Sequence, residues 1–302
     1  MSIAEGNIFC LTISRKSAII RPLFCKEAIH TEKQLICAAI HDMSGFGRCS
    51  LAVIIPIISA MGIQCVPVPT AVLSTHTGGF GDFVFRDMTD YIELCCEHYK
   101  ALGIQPDAIY SGFLASEEQV GRCLDFFSAF PGAKRIVDPV MGDDGVRYQT
   151  YTPELVERMK ELIIGANVIT PNFTEAAMLL DEVYPDKISE ATARGWLERL
   201  CKSAGSAVIT GAVLDTGEHA NLCLDGKTGE YTCICWEPLP ASYPGTGDIF
   251  ASVMTGRLLL GDPLASAVRC ATAFARRAVE VTIGNGQPSR NGVEFERILG
   301  EL

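Results

Sequence analysis

The chain has no apolar run of the roughly 20 residues needed to cross a bilayer. It has no basic start either: Glu5 stands where a secretory signal would carry Lys or Arg, so a cytoplasmic protein is expected. Positive charge is in short supply, with 25 Lys and Arg against 36 Asp and Glu and a formal net charge of -11. That balance argues against nucleic acid or an anionic membrane surface as the main partner. It also means that an anionic substrate such as a nucleotide needs local Mg²⁺ or a helix N-terminus to offset the protein's own charge. The thirteen cysteines include no C-x₂-C pair. Cys95-Cys96 and Cys233-x-Cys235 are the close pairs, and neither has a matching second pair. Zinc is therefore disfavoured, and reduced, mostly buried thiols suit a cytosolic enzyme. No internal repeat, low-complexity linker or second domain boundary is evident after residue 34.

What is present is enough apolar material for a large core: 48% of the 302 residues are hydrophobic and 20% charged. Residues 1–33 read as an N-terminal extension, poorly ordered or loosely docked, in which apolar Ile8 to Ile13 and Ala18 to Phe24 are interrupted by Arg15, Lys16 and Arg21. Residues 34–302 read as one α/β domain. Short apolar runs predict buried strands at Leu35 to Ile40, Gln64 to Pro69, Ala108 to Phe113, Arg135 to Val137, Asn167 to Thr170 and Ala207 to Gly211. Helical patterns lie between them. A strand pair, Leu222 to Asp225 and Glu230 to Cys235, flanks Gly226-Lys227-Thr228-Gly229 and belongs near a sheet edge. This alternation predicts a largely parallel sheet, with ligands beyond the carboxyl ends of its strands.

The candidate functional residues cluster at those ends. Pro244-Gly245-Thr246-Gly247-Asp248 opens an apolar helix. Unpaired N–H groups and the helix dipole make such a turn an anion cradle. Asp248 would repel a phosphate, so it reads either as a base for a hydroxyl held in front of that phosphate or as an N-capping residue. Asp42 and Ser44 sit in a Gly-containing strand–helix turn, as ligand contacts or turn residues. Thr70 to Gly81, rich in small and hydroxyl residues, reads as a substrate flap, with His76 structural. Asp138 and Asp143, on a strand end beside Gly and Pro, suit Mg²⁺ or a solvated turn. Asn172 and Glu175 lie three apart at a helix start, as a cap pair or as groups facing a metal-bound phosphate.

His41-Asp42-x-Ser44-Gly45-Phe46-Gly47, Ser74-Thr75-His76-Thr77-Gly78, Asp138-Pro139-Val140-Met141-Gly142-Asp143, Thr170-Pro171-Asn172-x-x-Glu175-Ala176 and Gly245-Thr246-Gly247-Asp248 follow one another in an order that resembles the ribokinase-like superfamily. The whole set looks like a bacterial pyridoxal/pyridoxamine kinase, from about residue 35 to about 297. The resemblance implies a three-layer α/β/α sandwich with a largely parallel central sheet and no separate lid domain. It implies ATP-dependent phosphorylation of the 5′-hydroxymethyl group of pyridoxal, pyridoxamine or pyridoxine. Asp248 would be the base, and Gly245, Thr246 and Gly247 the anion hole. Asp138, Asp143 and Glu175 would organise Mg²⁺. Asn172, Glu175, Thr210 and Gly211 would lie along ATP, and Asp42, Ser44, Thr77 and Phe113 would line the vitamin pocket. A homodimer and activation by K⁺ are also implied. Pyridoxal kinases often have Ser where Asp42 falls and Tyr where Phe113 falls, which leaves the preferred vitamer open. Hydroxymethylpyrimidine kinases of thiamin synthesis share the Asp42-x-Ser44-Gly45 opening but commonly carry Cys at the position of Asp248. A non-catalytic vitamin-binding protein on the same scaffold is the remaining alternative.

Overall fold

The computed structural model describes residues 33–302 and, ahead of them, the backbone of two short antiparallel pairs, Phe9–Cys10 with Arg21–Pro22 and Ile13–Ser14 with Ser17–Ala18. The order or looseness expected of the rest of residues 1–32 lies outside the described residues. Contacts divide the chain into Met1–Lys33 and Gln34–Leu302.

Within Gln34–Leu302 the first strand, β1 (Ile36–Phe46), shows why a layered sandwich forms. Its residues are apolar on both faces. Cys37 and Ala39 enter one core, Ala38 and Ile40 the other, and all four are at most 1% exposed. Such a strand is stable only with helices on both sides. Helix α1 (Leu51–Ala60) follows, then β2 (Gln64–Thr75), the edge strand β3 (Phe85–Asp87), α2 (Thr89–Ala101), β4 (Ala108–Ser111), α3 (Glu117–Ala129) and β5 (Lys134–Val137). A small hairpin, β6 (Gly142–Asp143) and β7 (Val146–Arg147), leads to α4 (Pro153–Leu162), β8 (Val168–Ile169), α5 (Phe173–Leu180) and α6 (Glu190–Leu200). The chain closes with β9 (Ser206–Val213), β10 (His219–Asp225), β11 (Tyr231–Trp236), α7 (Thr246–Leu259) and α8 (Leu264–Gly284).

Nine strands form one sheet in the order β11-β10-β9-β8-β5-β4-β1-β2-β3. The pairs from β9 to β2 are parallel, and the β10–β11 hairpin and β3 add antiparallel edges. Helices α2 to α6 cover one face; α1, α7 and α8 cover the other. The expected three-layer, largely parallel architecture is what forms. Helix α7 is buried around most of its circumference from Ile249 to Gly256, as suits a helix wedged between sheet, α1 and α8.

Several boundaries differ from the sequence reading. β1 does not end at Ile40, nor β2 at Pro69. Their register shifts between His41 and Met43, and pairing then resumes out to Phe46 and Thr75. That bulge re-aims the strand ends that carry the site. Half of the expected flap is therefore strand. The sequence reading assigns no element to 151–165, where Thr152 caps α4 and Pro153 opens it.

Candidate active site

Gly245 is the N-cap of helix α7; its φ of 85° is left-handed, and a Cβ there would lie 2.0 Å from the Arg48 carbonyl oxygen. The first bond within the helix runs from Ile249 N–H to Gly245 O, so the N–H groups of Thr246, Gly247 and Asp248 point beyond the helix end. The Thr246 hydroxyl donates to Tyr243 O at 3.0 Å and fixes the turn. The turn thus leaves three backbone N–H groups facing outward at a helix N-terminus.

Asp248 is held from the opposite side. The Ser50 backbone N–H donates to its Oδ2 at 2.8 Å, and the Ser50 hydroxyl donates to Asp42 Oδ1 at 2.5 Å. Ser44 donates to the other Asp42 oxygen at 2.9 Å. Burial pushes the Asp248 carboxyl up from 3.8 to about 7; the charge of Asp42 adds to this and the Ser50 N–H opposes it. Asp42 is also raised by burial, against its two serine hydrogen bonds. Thus Asp42, Ser44 and Asp248 meet, although Asp42 and Asp248 lie on different layers. Ser50, the link, was not among the sequence candidates. A Ser before a helix signals only an N-cap, and here its side chain makes no cap bond.

The acidic residues form a second group. Asn172 and Glu175 are a full capping box on α5: Asn172 Oδ1 accepts from Glu175 N–H at 2.9 Å, and Glu175 Oε2 accepts from Asn172 N–H at 2.8 Å. Glu175 Oε1 also accepts from Met141 N–H at 3.0 Å, and Asn172 Nδ2 donates to Gly142 O at 2.7 Å. The cap pair thereby pins the β6–β7 hairpin, whose Asp144-Gly145 tip has φ values of 49° and 75°. Burial raises Glu175 to about 8, against those backbone N–H groups. Asp138 ends β5 and is pushed well above the carboxylate range by burial, then by the charges of Glu175 and Asp248. Among the described residues no three His, Cys, Asp or Glu side chains form a metal cage. Mg²⁺ is commonly held by one or two carboxylates plus phosphate oxygens and waters, and of the two expected aspartates Asp143 lines the site cavity.

A cavity of about 620 Å³ opens between the start of α7 and the cap of α5. Asp143, Asn172, Thr210, Gly211, Thr246 and Gly247 all line it. Its far wall comes from residues no motif marked: Asn221, Trp236, Tyr243, Phe250 and Arg276. They sit on the β10–β11 hairpin, on α7 and α8 and on the segment between β11 and α7, so only the fold assembles them. Gly211, with φ 69°, is anchored by its N–H to Asn221 Oδ1 at 3.0 Å. Of the expected vitamin contacts, Thr77 is exposed after β2 and Phe113 is half-buried, ring to ring with Tyr151 at 6.1 Å. Neither shares a hydrogen bond with Asp42 or Ser44. His76 is structural, as expected: its Nε2 lies 2.7 Å from Arg290 O, and its Nδ1 accepts from Gly78 N–H.

The family model "Phosphomethylpyrimidine kinase" matches residues 55–291. The chain belongs to the phosphomethylpyrimidine kinase family. A Bacteroides thetaiotaomicron protein, a candidate phosphomethylpyrimidine kinase solved with pyridoxal, is 39% identical to this kinase family member. The TM-score is 0.85, over 89% of this chain and 96% of that one. The pyridoxal kinase of Lactobacillus plantarum is 30% identical with a TM-score of 0.82, over 88% and 96% of the two chains. The chloroplastic thiamine biosynthetic bifunctional enzyme of Arabidopsis thaliana is 27% identical over 269 residues, 86% of this chain but 50% of its own length. The chain thus spans about half of that relative.

Proposed function

We propose that the protein transfers the γ-phosphoryl group of ATP to the 5′-hydroxymethyl group of a B6 vitamer. The observation that carries this reading is the Asp248 carboxyl, held by Ser50 in the first turn of α7, whose Thr246 and Gly247 line the large cavity. The pyridoxal complex of the 39% identical relative supports the substrate class.

In the proposed reaction the substrate hydroxyl oxygen forms a bond to the γ-phosphorus, and its proton passes to Asp248. The bond from that phosphorus to the β,γ-bridging oxygen breaks, and ADP leaves with the electron pair. The N–H groups of residues 246–248 offset charge on the transferring oxygens. Mg²⁺, when held by Asp143 and Asp138, would neutralise further phosphate charge. Asn172 and Glu175 serve that region by fixing the hairpin that carries Asp143. The assembly expected from the superfamily is a homodimer. Exposed Phe46, Phe83, Val84 and Phe85, at 38% to 72%, suit a second copy at the β3 edge.

Hydroxymethylpyrimidine phosphorylation is the second reading, because family relatives include both kinds of kinase. Asp248, where that group commonly has Cys, favours the B6 reading. An assay of ADP release with pyridoxal, pyridoxamine, pyridoxine and hydroxymethylpyrimidine tests both. Turnover of a B6 alcohol is expected. Turnover of hydroxymethylpyrimidine alone would overturn the assignment, and no ADP with any of the four would revive a binding role.

A further inference from the structure

Asp42 is buried where β1 shifts register, and its surroundings explain the carboxylate. We propose that Asp42 is a positioning residue that acts through Ser50 to aim the base Asp248, rather than a ligand of the vitamin; this rests on the kinase reading above. Both Asp42 oxygens are already taken by serine hydroxyls, and the residue is 6% exposed. Ser50 carries the effect across. Its hydroxyl donates to Asp42, and its N–H is the one hydrogen-bond donor to the Asp248 carboxyl among the described residues. With Oδ2 fixed, Oδ1 is left to receive the substrate proton.

Ser50 also adopts φ 52°, ψ -133°, a conformation natural to glycine and strained for serine. Its carbonyl, which accepts from Val53 and Ile54 N–H, and its bridge to Met43 would be made equally well by glycine. The hydroxyl alone needs serine, and its partner is Asp42. A strained side chain kept for one hydrogen bond to a buried carboxylate, with the neighbouring N–H on the base, is the arrangement expected of a part that fixes catalytic geometry.

Asp42→Asn and Ser50→Gly, made in the full chain, test this with a B6 alcohol as substrate. Each is expected to lower kcat by about tenfold or more, the scale of a misplaced catalytic group, while the Kd for pyridoxal, read by calorimetry, changes less than about twofold. Ser50→Gly relieves a strained φ but strips one Asp42 oxygen of its donor, so its melting temperature is expected to move little. A merely structural role would lower its melting temperature along with kcat. A pyridoxal Kd weakened about tenfold in Asp42→Asn with kcat kept would make Asp42 a vitamin ligand and overturn the proposal. Unchanged kcat in both variants would overturn it too. If Asp248→Asn is inactive while these two stay active, the positioning role alone falls. If Asp248→Asn stays active, the base assignment falls with it.

Discussion

Asp248 owes its proton affinity to burial first and to Asp42 second. With its carboxyl raised to about 7, the base is half-protonated near neutrality. Turnover should therefore fall as pH drops below about 7, as an acid limb in the kcat profile. Asp248→Asn should cut kcat by roughly 10²-fold or more, the scale of general-base loss, with binding of a non-hydrolysable ATP analogue kept. The same shift acts on stability. A folded-state value above the ordinary 3.8 means that the native carboxyl holds its proton more tightly than the unfolded one. That contribution is full below about pH 4 and is lost as pH rises through about 7. At pH 8 the parent carries the cost of an ionised, part-buried carboxyl. Asp248→Asn lacks that cost and keeps an acceptor for Ser50 N–H, so it should be more stable by about 2 kcal/mol once the part-exposure is allowed for. Denaturant melts at pH 4 and pH 8 would check this, the gain being greatest at pH 8 and shrinking steadily toward pH 4.

At the scale of elements, the start of α7 depends on a contact with a turn two layers of sequence away. Gly245→Ala would combine a left-handed φ of 85° with a Cβ 2.0 Å from Arg48 O. Gly261 has φ 98° but no atom within 4 Å of its Cβ position. Both substitutions carry backbone strain of about 1–3 kcal/mol, but only Gly245→Ala adds a backbone clash. It should melt below Gly261→Ala and lose ATP-dependent turnover, whereas Gly261→Ala keeps it. On the β10–β11 hairpin, Trp236 lines the cavity and packs on His219 with ring centroids 5.0 Å apart. Trp236→Ala should raise the KM for ATP about tenfold, within the range of lost base–aromatic stacking, and leave the KM for the vitamin unmoved. An equal rise in both would remove Trp236 from the nucleotide wall.

At the scale of the whole molecule, the sheet sets where chemistry can occur. Its parallel strands β1, β4, β5, β8 and β9 all end on the same edge, so Asp42, Asp138, Asn172 and Thr210 reach one region from separate parts of the chain. The β1–β2 extension beyond the bulge, with β3, presents an apolar rim. If the proposed dimer forms at this rim, Val84→Asp should shift sedimentation from dimer to monomer by placing a charge at 72% exposed Val84. A parent that sediments as a monomer would remove the dimer from the proposal.

The sequence by itself determined the layers and the local devices. Apolar strand runs dictate helices on both faces, Asn172-x-x-Glu175 offers the capping box that forms, and Gly245-Thr246-Gly247 marks a helix start, because each acts over a few neighbouring residues. Only the tertiary structure decided that Ser50 joins Asp42 to Asp248 and that Asn221, Trp236 and Arg276 close the cavity. Those contacts cross from 8 to about 200 residues of chain and depend on one register shift in β1 and on how α7 and α8 pack against the sheet. Spacing along a sequence carries no record of a hydrogen bond whose two ends meet only after the layers have closed.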